Sequence, residues 1–174
     1  MKHLLTRLAL AVTLVAGCSP NPAAELELGK QLLVGAPGVA ADPVAALGHL
    51  RSAAEKRSPA AAFHLGLLLR RGASGVPVDR AAALRWLRVA AEADLPAAQF
   101  ALGQMLRAGE GIAPDERKAR FWFEKAAEHD LPEANLELAM AYQRGDLGLA
   151  ADGAAAERYL MEAQHASKHR PAPP

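Results

Sequence analysis

Few side chains in this sequence have the type and spacing to do chemistry, and the most reactive of them stands alone. Cys18 is the single cysteine of the chain; it closes the stretch "AVTLVAGCSP" at the end of an apolar run, just ahead of Ser19-Pro20. A lone thiol excludes an intramolecular disulfide, so the fold must hold itself by packing. Past it the serines are Ser19, Ser52, Ser58, Ser74 and Ser167, none set in a strand-to-helix elbow that would expose and activate a nucleophile. The histidines His49, His64, His129, His165 and His169 lack metal-ligand spacing, except that His165 and His169 are four apart without further ligands. Acids such as Glu124 and Glu128 fall on polar helix faces as ordinary solvated charge. The expectation is therefore no catalytic residue, no metal and no cofactor.

What precedes the thiol explains its position. The first seven residues, "MKHLLTR", carry Lys2 and Arg7 and no acid, and Leu8 to Ala16 is apolar apart from Thr13. That is the layout of a secretory signal, and at roughly half the ~20 apolar residues a membrane-spanning helix needs, it is too short to cross. Val15-Ala16-Gly17-Cys18 resembles the lipobox of bacterial lipoproteins. The resemblance implies cleavage before Cys18 and acylation of its sulfur and of the freed amine, and several acyl chains anchor stably where one does not. It also implies an outer-membrane lipoprotein facing the periplasm, because retention in the inner membrane usually depends on an aspartate where this chain has Ser19. Residues 1–17 are then the signal peptide and 18–21 the acylated cysteine with a short tether. Loss of Lys2 and Arg7 takes the net charge from +1 to −1, so the basic footprint of a nucleic-acid binder is absent.

From Pro22 onward the sequence repeats. Gly35, Gly72, Gly109 and Gly145 recur at steps of 37, 37 and 36 residues, and Pro22, Pro59, Pro96 and Pro132 keep pace, as do Asp42, Asp79, Asp115 and Asp152. A fixed period of this length is the mark of a solenoid. Each unit reads as two helices. In "PAAQFALGQMLRAG" a proline opens the first helix and Gly109 closes it, with Ala98, Phe100, Leu102, Met105 and Leu106 at helical spacing and Gln99 expected at the surface. In "DRAAALRWLRVAAEAD" Asp79 caps the second, and Leu84, Leu87, Ala90 and Ala91 line one face. The predicted fold is all-α, an α/α solenoid of about four helix-turn-helix units spanning 22–58, 59–95, 96–131 and 132–166. The remaining residues, 167–174, read as a disordered, proline-rich tail.

Small residues at fixed repeat positions imply close helix crossings: Gly29, Gly66 and Gly103 on the first helix, and the pairs Ala53-Ala54, Ala90-Ala91 and Ala126-Ala127 on the second. Trp86, Phe121, Trp122, Phe123 and Tyr159 are expected to fill the core beyond them. The recurring set Ala98, Leu102-Gly103, Gly109, Gly111-Ile112, Asp115, Ala119, Trp122 and Ala126-Ala127, matched one unit earlier by Ala61, Leu65-Gly66, Gly72, Gly75-Val76, Asp79, Ala83, Trp86 and Ala90-Ala91, resembles Sel-one-like repeats, relatives of the tetratricopeptide repeat. The end units depart from it, with His49 at the tryptophan position of the first and Ala139 at the glycine position of the fourth. Terminal units have a neighbour on one side only. Some cysteine-rich members of that family are associated with β-lactam hydrolysis, but their cysteine pairs and any Ser-x-x-Lys sequence are missing here.

The resemblance implies that the first helices line a concave groove for a protein or peptide partner. Candidate partner-binding residues on that ladder are His64, Leu67, Arg70, Arg71, Gln104, Arg107, Met140 and Arg144. The functional expectation is a membrane-anchored periplasmic adaptor or scaffold. The alternative is an immunity protein that neutralises a secreted toxin such as a phospholipase, and a hydrolase is the third reading. The anchor is directly testable: Cys18→Ala should abolish incorporation of labelled fatty acid and block normal processing, and unchanged labelling in the variant would refute lipidation at this site.

Overall fold

The structure, a computed structural model, describes residues 21–169, so Cys18 and the expected signal lie outside the described residues. Eight helices follow in order: α1 Pro22–Val34, α2 Pro43–Glu55, α3 Pro59–Arg71, α4 Arg80–Glu92, α5 Pro96–Ala108, α6 Glu116–Ala127, α7 Pro132–Arg144 and α8 Gly153–His169. They form four antiparallel pairs, each stacked on the next, as the 37-residue period requires. Among the described residues there is no strand, only isolated bridges between Ala36 and Val39 and between Ala73 and Val76.

The helix ends show why the markers recur. Proline opens α1, α2, α3, α5 and α7, where its missing N–H costs nothing. The aspartates cap the second helices: Asp79 Oδ1 accepts from the Ala82 amide at 2.8 Å and Asp115 Oδ1 from the Lys118 amide at 2.9 Å. At Gly109, φ 69° and ψ 31° put the residue after α5 in the left-handed region, which glycine enters without a Cβ penalty. The loop from Gly109 to Asp115 is one residue shorter than the one from Gly72 to Asp79, which accounts for the single 36-residue step. Turns between units repeat as well. Arg57, Asp94 and Asp130 share positive φ at corresponding positions, and the amides of Ser58, Leu95 and Leu131 bond back to Ala53, Ala90 and Ala126.

Inside each of the first three units the two helices meet at a glycine. A Cβ placed on Gly66 would lie 2.7 Å from Leu87 Cγ, one on Gly29 2.8 Å from Leu50 Cγ, and one on Gly103 2.7 Å from the Phe123 ring. Those partners are fully buried and join the core cluster together with the neighbouring alanines and leucines. Phe100 adds a second ring against Phe123, centroids 5.6 Å apart.

Three expectations need correction. Phe121 is 49% exposed, lying edge-on to Trp122, because it occupies the outward position that Arg85 and Arg158 hold in neighbouring units. Gln99 is buried: its Nε2 donates to Asp94 Oδ1 at 2.9 Å, so an amide inside the stack ties the turn before α5 to the helix. Helix α8 continues through His169, three residues past the expected end of the last unit and into the expected tail; no breaker precedes Pro171, and Ser167 Oγ bonds back to the Ala163 carbonyl. Residues 170–174 lie outside the described residues.

Two glycine-to-alanine substitutions separate close approach from helix propensity. Gly48→Ala, in α2 with no atom within 4 Å of the added Cβ, should raise stability by about 0.5–1 kcal/mol. Gly103→Ala gains the same propensity but meets the Phe123 ring, and should destabilise by about 1–3 kcal/mol. Urea midpoints moving in opposite directions would bear this out, and a stabilised Gly103→Ala would refute the close crossing.

Candidate functional site: the face of the odd-numbered helices

Two adjoining clefts open on the face carried by α1, α3 and α5. One, about 350 Å³, lies between α3 and α5, where Phe63, Leu67, Phe100 and Ala101 meet Arg70, Arg71 and Gln104, with Leu131 and Glu133 at its far end. The other, about 290 Å³, lies between α1 and α3, walled by Leu33, Val34, His64, Leu67 and Arg71. Leu67 and Arg71, one helical turn apart on α3, belong to both and form the ridge between them. Five of the eight expected partner-binding residues are thus gathered here: His64, Leu67, Arg70, Arg71 and Gln104.

The remaining three do not line these clefts. Arg107 forms a two-pronged ion pair with Glu137 on α7 and covers the Phe123 ring, 5.8 Å from guanidinium carbon to centroid. Met140 and Arg144 stay on α7, the sulfur 4.0 Å from an arginine nitrogen. Two of the arginines expected along this face, Arg70 and Arg107, are thus held by acids of the following unit and do not form a free basic row.

Arg70 is engaged most firmly. Its Nε and Nη2 donate to the two oxygens of Glu110 at 2.8 and 2.7 Å, and Nη1 donates to Gln104 Oε1 at 3.2 Å. The paired geometry holds the guanidinium charged and lowers the Glu110 carboxyl below its ordinary range, chiefly through the Arg70 hydrogen bonds. Arg71 is different. It is exposed and has no hydrogen bond or ion pair among the described residues, which leaves it as the uncompensated cation of the clefts. His64 is pushed toward the neutral form by burial first and by Lys30 second, with Glu27 opposing. The neutral ring adds polarity to the cleft without charge. Among the described residues no group of three or more His, Cys, Asp or Glu gathers where a metal could be held.

This architecture is that of stacked helical repeats, and the comparisons agree on the fold. The family model for the Sel1 repeat matches residues 22–58, 59–95, 96–131 and 132–163. The chain belongs to the Sel1 repeat family. Its members are generally protein-interaction scaffolds, and the fold is typically non-catalytic. A Sel1 repeat protein from Oxalobacter formigenes is similar in structure at TM-score 0.77 and 32% identity, with 84% of this chain and 58% of that one covered. A protective antigen of uropathogenic Escherichia coli strains with the same repeat fold is similar at TM-score 0.78 and 34% identity, with 83% of this chain and 30% of that one covered. This solenoid therefore spans little more than half of one relative and under a third of the other. No curated protein matches the chain at a significant level.

Sequence reading missed the acids that occupy the arginines and the apolar residues that line the clefts, Phe63 and Phe100 above all. Both ion pairs cross from one unit to the next, Arg70 to Glu110 forty residues on and Arg107 to Glu137 thirty on. The signal was an acid about one period ahead, displaced by one or two helical turns.

Because the folded Glu110 carboxyl lies below its ordinary value, the pair contributes stability above the unfolded-state value near 4.5 and loses it as pH falls through the lower folded value. Unfolding free energies measured between pH 6 and pH 3 should fall less steeply in Glu110→Gln than in the natural protein, by on the order of 1 kcal/mol. Parallel pH profiles would show that the pair contributes nothing net.

Proposed function

We propose that this protein is a periplasmic adaptor, held to the outer membrane by lipid on Cys18, that captures a protein partner along the face of α1, α3 and α5. One observation carries the binding site: apolar clefts on both sides of Leu67 share a single uncompensated cation, Arg71, while the neighbouring arginines are neutralised from within. A folded chain that satisfies Arg70 and Arg107 but leaves Arg71 open beside Leu67 presents a surface suited to an external group. Support for the anchor comes from Val15-Ala16-Gly17-Cys18 and from the short connection beyond it, since only Ser19 and Pro20 separate the thiol from Asn21, the cap of α1. Among the described residues no helix is long and apolar enough to cross a membrane. The relative named as a protective antigen fits an exported protein, because an antibody must reach its target.

The test is capture from envelope extracts by Leu67→Asp with Arg71→Glu, set against Arg85→Glu on the exposed side of α4. The double variant should lose its partners at least tenfold while helicity by circular dichroism stays unchanged, and the control should retain them. Equal capture by all three proteins would refute this binding face. Capture of a secreted lipase whose activity is thereby blocked would replace the adaptor reading with immunity.

A further inference from the structure

We infer that this groove accepts an extended segment in which one acidic residue lies between two apolar residues three positions apart. The inference rests on the adaptor reading and names what its binding face recognises. Charge complementarity fixes the acid and its number. Arg70 is matched by Glu110 and Arg107 by Glu137, so the positive charge left for a ligand is that of Arg71.

Cleft spacing fixes the apolar residues. The two clefts lie on opposite sides of α3, so their centres are separated by about one helix spacing, roughly 8–10 Å. An extended chain of polyproline II type advances about 3.1 Å per residue and returns each side chain to the same direction every third residue, about 9 Å on. A flat strand repeats its direction every second residue, at about 6.6 Å or 13 Å, and matches neither cleft pair. Side chains at positions one and four of such a segment therefore enter the two clefts, and the acid between them meets Arg71 on the ridge.

Polar groups along the face favour extended chain over helix. Gln104 uses its Oε1 on Arg70 and keeps its amide hydrogens as donors, and His64 offers an uncharged ring. An extended main chain needs such partners, whereas a helix satisfies its own amides and carbonyls.

The experiment selects random nine-residue peptides displayed on phage against the full chain in detergent, then measures synthetic copies of the enriched peptides by fluorescence polarisation. Enriched peptides should share apolar residues three apart with Asp or Glu between them. Exchange of that acid for its amide should weaken binding about tenfold, and so should Arg71→Gln, with no further loss when both changes are combined. Apolar residues two, four or seven apart, or indifference to the acid, would overturn the inference. Leu67→Asp separates this outcome from failure of the adaptor reading: peptides of another pattern that still depend on Leu67 leave the groove standing and remove only the register. Peptides that ignore Leu67, or no enrichment at all, overturn both.

Discussion

Close contact between the two helices of a unit is the constraint on which the rest of the molecule depends. In the first three units a glycine on the first helix faces a large side chain on the second, with no space for even a methyl group between them. Glycine inside a helix costs about 1 kcal/mol against alanine, and the sequence places it there three times because packing at the crossing returns more. Alanine pairs beside Leu50, Leu87 and Phe123 extend the same short distance along the helices. Other bulky residues lie at the junctions between units. Phe63, Leu67 and Phe100 sit there, half-buried, and they make the walls of the clefts.

Ion pairing adds the second layer of organisation. Arg70 with Glu110 and Arg107 with Glu137 each join consecutive units, so a pair that is partly exposed still resists changes in the angle between repeats. The terminal units are finished differently. His49 stands where the central units have tryptophan, and its Nδ1 lies 2.6 Å from Glu25, which leaves a polar group instead of an indole near the open end. At the other end Tyr159 takes the tryptophan position and stacks on Tyr142, and Ala139 replaces the helix glycine while Leu160 is 37% exposed. Leu87 and Phe123, at the corresponding positions of the central units, are fully buried.

The fold was legible in the sequence because its determinants are local and periodic. Proline at a helix start, aspartate at a cap and glycine past a helix end each act within a few residues, and repetition at 37 made them unmistakable. The site was legible in part. Helical spacing puts His64, Leu67 and Arg71 on one face, since residues three and four apart are neighbours, and the repeat architecture says which face that is. What escaped depends on contacts between units. Gln99 looks like any polar surface residue until the preceding turn folds Asp94 onto its amide, and Arg107 looks free until Glu137 arrives from the next unit. Phe121 shows the converse error, an aromatic assigned to the core by its type although its repeat position faces outward.

The central claim is that the odd-numbered helices, and not the outer surface, hold the partner. Photocrosslinking in intact cells tests it most directly, with benzoylphenylalanine introduced singly at Leu67 and Phe100 on the clefts and at Arg85 and Val89 on the exposed side of α4. The account predicts the same discrete crosslinked product from Leu67 and Phe100, and none from Arg85 or Val89. Crosslinking from the α4 positions with none from the clefts would contradict it.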